Sequence, residues 1–381
     1  MWHLWWMIPA TTHHSLYLYL RIAVSRFIIN YLTITPMQKK FTNTFAVCAY
    51  LCTIIMIPAD ELTCIASSEK QWTGVAVSKE GRVFTNFPKW SDKETISVAE
   101  IIDGKTHPYP SQDWNNRSNH QSFNAVQSVY IDDKDHLWVL DTHNPQFKGV
   151  QNQGPTLHLF DLSLNQRIRS YPFSQDTYQP DSYFNDVRVD TQHGFAYLTD
   201  SGNGALIVLN LKDGKARRIL EDHPSVTSET NLLVCDGHVW KNAVDADGIA
   251  LTPDRKHLYF IALTSHTLYR LSTEDIRNAS ISNEELAKKV EKVAIIPATD
   301  GMLFDKKGNL WLGALESNGV NVLTHTGQLV NYLKNPKISW ADSFAEGPNG
   351  KIYFTTSQIH LPEPLRSTYQ IYTFSPQVPS E

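Results

Sequence analysis

The chain has 381 residues, with 34 Lys and Arg against 39 Asp and Glu for a net charge of −5, and no basic patch stands out, which argues against nucleic acid as a partner. Aromatic residues make up 11% of the chain and charged residues only 19%, a balance that suits an all-β protein whose pleated surfaces pack aromatic side chains.

Residues 1–66 read as an address rather than as fold. The first apolar stretch, Met1 to Tyr31, is interrupted by Pro9, His13, His14, Arg21 and Arg26 and makes a poor membrane span. A second begins at Met37, where Lys39 and Lys40 form a positive start and Phe45 to Pro58 an apolar run of the length a secretory signal needs. Ala59 and Ala66 are small residues at which cleavage fits. Met37 is therefore expected to be the true start, and the product to be secreted or periplasmic with no stable membrane span after cleavage. Cys48, Cys52 and Cys64 fall in this segment and leave Cys235 alone in the rest. A lone cysteine cannot close an intramolecular disulfide and is expected as a small apolar residue; His238 beside it makes too few ligands for zinc.

Residues 67–381 are expected to form one domain built from a repeat. Six copies of a short apolar strand, a turn and an aromatic-rich second strand begin at Thr73, Val126, Asn185, Asp247, Asp300 and Asp342. Each alternates apolar and polar residues with period two, and turns such as Asp305–Asn309 and Gly347–Lys351 place Gly or Asn where a hairpin needs positive φ. Third strands follow at Thr156 to Asp161, Ala205 to Leu211, His266 to Leu271 and Gly319 to Thr324. Four strands per copy, with copies roughly 40–60 residues apart, predict a six-bladed β-propeller. A β-sandwich does not explain six copies of one hairpin, and β-helix repeats are shorter. Ser272 to Lys292 is polar and reads as a short helix or irregular insert, and Ser201–Gly204 as a turn rather than half a dinucleotide fingerprint. Asn116 and Asn278 each open an N-x-Ser sequon. No HExxH, GxSxG or P-loop pattern is present.

In a propeller the first strand of each blade lines the channel and the second returns antiparallel to it. The residue opening strand one and the residue closing strand two then share a face of the disc. Thr73, Gln127, Asn185, Asp247, Asp300 and Asp342 open, while Asn86, Asp141, His143, Asp200, Glu316 and Gln358 are among the residues that close. Carboxylates crowded at one channel mouth need a cation or bound protons. Asn185, Asp247 and Asp300 are the expected metal ligands, for calcium or magnesium ahead of zinc or manganese. Asp342 and Asp200 are the expected proton-transfer groups; Thr73, Gln127, Asp141, His143 and Glu316 the expected binding residues. For any one acid the plainer reading is a turn or strand cap. Asp190, Asp254 and Asp305, between strands one and two, are expected at the opposite face, solvated and structural.

Two segments carry a family resemblance. YFNDVRVDTQHGFAYLTDSGNGALIVLNLKDGKARRIL from Tyr183, and DGIALTPDRKHLYFIALTSHTLYRLSTEDIRN from Asp247, resemble successive blades of the yellow / major royal jelly proteins. The resemblance runs from Trp72 to Phe374 and implies a six-bladed, usually secreted propeller. In that family insect members are linked to dopachrome conversion, salivary members bind biogenic amines in the channel, and royal jelly members are largely nutritional. A wider resemblance is to the gluconolactonase / senescence marker protein superfamily, whose metal site takes a Glu, Asn residues and an Asp from strand starts. Asn185 and Asp300 match two of these positions, Asp247 stands where a second Asn is usual, and Thr73 where the Glu is usual.

Two functions follow. An enzyme would use the metal or the acids on a small molecule, in lactone hydrolysis or dopachrome-like tautomerisation. A binder without turnover would hold a cationic amine by charge and cation–π contact, with Trp90, Tyr183, Phe184 and Trp340 near the mouth. A protein-interaction scaffold would show a filled channel and an exposed apolar patch. The partner is expected to be a small molecule and the protein a monomer.

Overall fold

A computed structural model describes residues 62–377 apart from 94, 117–121 and 152; the expected signal segment, Met37 to Pro58, lies outside the described residues. The chain folds into six four-stranded antiparallel sheets arranged as a six-bladed β-propeller. A first strand, β1 (Thr63–Ser68), precedes the blades. Blade one is β2 (Val75–Val77), β3 (Val83–Asn86), β4 (Val98–Ile102) and β5 (Lys105–Pro108). Blade two is β6 (Val126–Ile131), β7 (His136–Asp141), β8 (Thr156–Asp161) and β9 (Gln166–Pro172). Blade three is β10 (Phe184–Asp190), β11 (Phe195–Asp200), β12 (Ala205–Asn210) and β13 (Ala216–Ile219), followed by an inserted hairpin, β14 (Leu233–Cys235) and β15 (His238–Trp240). Blade four is β16 (Ala246–Leu251), β17 (His257–Ala262), β18 (Thr267–Ser272) and β19 (Glu291–Ile295). Blade five is β20 (Met302–Phe304), β21 (Leu310–Ala314), β22 (Gly319–Leu323) and β23 (Leu329–Lys334). Blade six is β24 (Ala341–Glu346), β25 (Ile352–Thr356) and β26 (Tyr369–Phe374), completed by β1.

The first strands of successive blades touch in a closed ring, β2 to β6, β10, β16, β20, β24 and back to β2. Each sheet is covered on both faces by its neighbours. Val187, Val189, Leu198 and Leu209 of blade three pack against Trp138, Leu140 and Leu157 of blade two. From the other face Tyr197, Leu206 and Val208 pack against Ile249, Leu258 and Phe260 of blade four. Burial on both faces is why the inner strands read as nearly continuous apolar runs, each large side chain contributing roughly 1.5–3 kcal/mol on burial.

The ring is closed by β1, which pairs antiparallel with β26 from Thr63↔Thr373 to Ser68↔Tyr369. The expected junction at residues 66 and 67 thus lies inside a strand, and Thr63 to Ala66 belong to the last blade. Ser272 to Lys292 resolves into two short helices, α1 (Thr273–Arg277) and α2 (Asn283–Ala287), before the start of β19. Ser282 and Glu285 form a reciprocal capping box on α2.

The opposite-face acids need correcting. Asp190 and Asp305 are buried rather than solvated. Asp305 accepts from Trp311 Nε1 at 2.9 Å and from the Lys307 and Asn309 amides; Asp132 repeats the device with Trp138 Nε1 at 2.9 Å. Asp190 takes His193 Nδ1 at 2.7 Å and Arg277 Nη1 at 3.3 Å. These acids pin the hairpin turns to the tryptophans and bases beneath them. Among the described residues no helix is long and apolar enough to cross a membrane.

Candidate functional site

A cavity of about 910 Å³ opens where the innermost strands begin, and the opening residues of five blades line it: Gln127, Asn185, Asp247, Asp300 and Asp342. For four of them, all but Asp300, the placement has a backbone cause. In β6, β10, β16 and β24 the pairing with the second strand slips at the first residues, so that Gln127, Asn185–Asp186, Asp247–Gly248 and Asp342–Ser343 sit in β-bulges. A bulge turns a side chain out of the ladder, which is how rims of closed sheets present functional groups. Threonines on second strands satisfy the irregular backbone: Thr199 Oγ1 donates to the Asp247 carbonyl at 2.8 Å and accepts from the Asp186 amide at 3.2 Å. Thr355 does the same between the Thr73 carbonyl and the Ser343 amide.

The glycine after Asp247 and Asp300 is not a turn residue. A Cβ on Gly248 would lie 2.4 Å from the Asp300 carbonyl, and one on Gly301 2.3 Å from the Asp342 carbonyl. The Asp-Gly pair is therefore the signature of a strand start that must touch the next blade's backbone.

The three acids form the floor of the cavity. Asp247 Oδ2 accepts from Asn185 Nδ2 at 2.7 Å, and Asp300 Oδ2 accepts from Trp340 Nε1 at 2.7 Å. The two carboxyl groups also interact directly with each other. Burial pushes Asp300 up to about 7, with the Trp340 indole and the Asp247 contact holding it back. Burial, then the neighbouring acids, raise Asp247 well above the usual carboxylate range; Asp342 is raised by burial and by Asp300. Asp342 accepts from Ser343 Oγ at 3.2 Å through Oδ1, while its buried Oδ2 lacks a partner at bonding distance. None of the three is in an ion pair among the described residues.

A directed chain of donors leads into this floor. Trp90 Nε1 donates to Tyr183 Oη at 2.7 Å, Tyr183 to Gln127 Oε1 at 2.7 Å, Gln127 Nε2 to Asn185 Oδ1 at 3.3 Å, and Asn185 to Asp247. Phe147 stacks between Trp90 and Tyr183, with centroids at 6.1 and 4.7 Å, and remains 62% exposed at the mouth. Gln146 and Phe147 both hold left-handed backbone, φ 58° and 55°, strain of a kind that clusters at ligand sites.

The other expected residues are not brought to the cavity. Asp200 is fully buried, bonded to Ser182 Oγ, the Tyr183 and Gly202 amides and Arg218 Nη1 at 2.6 Å. Asp141 accepts from the Asn124, Ala125 and His143 amides. Both acids close strand two by tying the segment before strand one to it, and each of their oxygens already accepts a hydrogen bond. His143 is buried, its Nε2 3.6 Å from Asp141. Thr73 donates to the Gln127 carbonyl at 3.2 Å, and Glu316 faces His266 at 2.9 Å on the outside. Of the expected aromatics, Trp90 and Tyr183 line the cavity, Phe184 is core, and Trp340 supports Asp300 from behind.

Sequence reasoning missed two contributors. The loop holding β14 and β15 supplies Trp240 and Asn242 to Val244 to the wall, and Trp240 meets Trp340 edge-on at 5.0 Å. Cys235 is buried in that hairpin and its thiol is pushed up to about 12 by burial, so it is inert. Asp236 and Gly237 are both at positive φ, so the Asp-Gly pair there was a legible hairpin signal. Arg188 ties blade three to blade five. It leaves β10, bonds Asp186 at 2.9 Å, and donates to the Met302 carbonyl of blade five at 2.7 Å.

Comparison with known proteins agrees with this architecture. The family model described as major royal jelly protein matches residues 124–331, more than half of the chain. Major royal jelly protein 5 of Apis mellifera is 24% identical over 250 residues, covering 59% of this chain and 40% of that one. Protein yellow of Drosophila madeirensis is 25% identical over 219 residues, covering 52% and 38%. The chain thus spans about two fifths of the length of each of these relatives. A gluconolactonase from Xanthomonas campestris superposes with a TM-score of 0.54 at 13% identity over 82% of this chain and 89% of that one, a likeness of fold.

Proposed function

Because the chain belongs to the major royal jelly protein family and its propeller gathers Asp247, Asp300 and Asp342 on one cavity floor, we propose that it is an exported protein that converts a small polar or aromatic molecule there by acid–base chemistry. Tautomerisation of a dopachrome-like quinone and opening of a lactone both suit the site. The supporting observation is three buried carboxyl groups side by side with no cationic partner, one of them poised near neutrality. In a tautomerisation, Asp300, poised near neutrality, takes a proton from carbon while a neighbouring protonated acid, Asp247 or Asp342, delivers one to the substrate oxygen. The site's proton count is then unchanged, and the two acids reset by exchange.

The family's wider relatives bring a metal to such strand starts. The donors here are hard oxygens of the kind calcium or magnesium takes, and Asp342 Oδ2 is an orphan. Among the described residues no group of three or more His, Cys, Asp and Glu is arranged to hold an ion. Asn185, Asp247 and Asp300 would hold a divalent ion in competition with the protons that burial keeps on the acids, and the ion would polarise a substrate oxygen. A second reading, capture of a cationic or aromatic ligand without turnover, is favoured by the Trp90–Phe147–Tyr183 stack.

The test pairs wild type with Asp300→Ala against lactones, aminochromes and aromatic amines, with metal content measured on the same samples. Loss of turnover by at least about 100-fold with the fold intact is expected. Turnover within tenfold of wild type would remove Asp300 from the chemistry. Binding without turnover by wild type selects the second reading.

A further inference from the structure

The part of the cavity wall that the inserted hairpin supplies rests on a buried imidazole. His360 follows the wall residue Ile359 in the segment after β25. Its side chain is wholly buried, and neither ring nitrogen has a hydrogen-bond partner among the described residues. The ring stacks on Trp340, with centroids 5.5 Å apart and planes 13° from parallel. The hairpin packs against this same pair. Leu233 and Cys235 of β14 join the cluster around Trp340, Trp240 of β15 meets the Trp340 indole edge-on at 5.0 Å, and the His238 ring lies 6.5 Å from that of His360. At the hairpin tip Asp236 gives Oδ1 to Asn318 Nδ2 and sets Oδ2 3.7 Å from His360 Nε2, too far for a hydrogen bond. The opposite side of the hairpin is bare, with Val234 and Val239 exposed, so its hold on the propeller is the side that covers His360 and Trp340.

We propose that the β14–β15 hairpin is a proton-gated flap of the cavity, shut over a neutral His360 and released when the ring takes up a proton. The charged and titratable groups that act on the ring are Asp236, which favours an imidazolium, and His238 and Arg366, which oppose it; the nearby Glu316 is engaged with His266. Burial outweighs the attraction of Asp236 and pushes the ring below its ordinary value of 6.5. With the hairpin lifted, the hydrated ring protonates at that ordinary value; with the hairpin shut, only at lower pH. Acid therefore draws the equilibrium toward the open form, and the shut form is fully favoured only above the ordinary value. Opening carries Trp240 and Asn242 to Val244 away from the wall and takes the edge-on contact off the indole that donates to Asp300. The flap is independent of whether the cavity converts its ligand or only holds it.

Cys235, buried under the shut hairpin, reports its opening, and Cys64, exposed on β1, is the reference for thiol reactivity at each pH. The full chain is labelled with a pyridyl disulfide at pH 8 and at pH 5, and each cysteine is read by peptide mass. The ratio of Cys235 to Cys64 labelling is expected to rise at least about fivefold at pH 5 and to stay within about twofold in His360→Phe, which keeps a ring on Trp340 but binds no proton. Asp236→Asn, which removes the attraction for the charged ring, is expected to open at higher pH than wild type and keeps the test open where the Phe variant does not fold. A ratio that is flat or falls at pH 5 in wild type overturns the flap, a fall meaning that the imidazolium and Asp236 lock it shut. An equal rise in His360→Phe, or opening of Asp236→Asn at the wild-type pH or below, overturns the assignment to His360. Loss of the far-UV circular dichroism of the sheets at pH 5 overturns a local opening.

Discussion

Asp300 shows how one side chain acquires a function from what surrounds it. In water its carboxyl would be ionised at neutral pH; burial holds the proton on, and Trp340 Nε1 limits the rise to about 7. The consequence for stability has a definite sign. At low pH the folded and unfolded chains both carry the proton. As pH climbs from the unfolded value of 3.8 toward 7, the unfolded chain ionises first, so the folded chain binds more protons and stability declines. Asp247 and Asp342, raised in the same direction, deepen the decline. Wild type is therefore expected to melt at a lower temperature at pH 8 than at pH 5, with Asp300→Asn losing less over that interval. Parallel curves for the two proteins would show that Asp300 does not carry the proton.

At the scale of elements, the inner strands and the closing strand divide the work. The inner strands tolerate bulges at their first residues because Thr199 and Thr355 on second strands bond the displaced backbone. Gly248 and Gly301 let adjacent blades touch there. The closing strand β1 holds the ring by covering the edge of β26. Without it β26 presents an open row of backbone donors and acceptors, an edge that pairs with other chains. A chain beginning at Glu69 is expected to aggregate or to unfold at clearly lower urea than one beginning at Leu62. Equal urea midpoints, with both chains monomeric by size exclusion, would mean that β1 is dispensable.

Across the whole molecule, Arg188 joins blades that are not neighbours in the ring. It links Asp186 in blade three to the Met302 carbonyl in blade five and lies 5.4 Å from the centroid of the Tyr130 ring in blade two. Removing one member of a buried charge pair leaves the other uncompensated, typically at a cost of about 3–5 kcal/mol. Arg188→Ala is expected to lose stability of that order in urea unfolding and to leave Asp186 unpaired behind the acidic floor. A loss below about 1 kcal/mol would indicate that water replaces the guanidinium freely.

Sequence alone determined the blade count, the inner hairpin of each blade and the set of opening residues, but not that β1 completes the last blade, because a repeated period-two pattern with hairpin turns is local and each copy repeats the same geometry. Five of the six opening residues do reach the cavity; Thr73 does not, since its hydroxyl bonds the Gln127 carbonyl. Which closing residues were free was not legible. Asp141 and Asp200 look like Asp300 in the sequence, but their partners are amides and an arginine brought from other segments. Arg188 and the wall residues after the hairpin insert likewise carry no local signal for the positions they take. Their positions depend on which blade stands across the channel and which carbonyl it presents, and only the closed ring decides that.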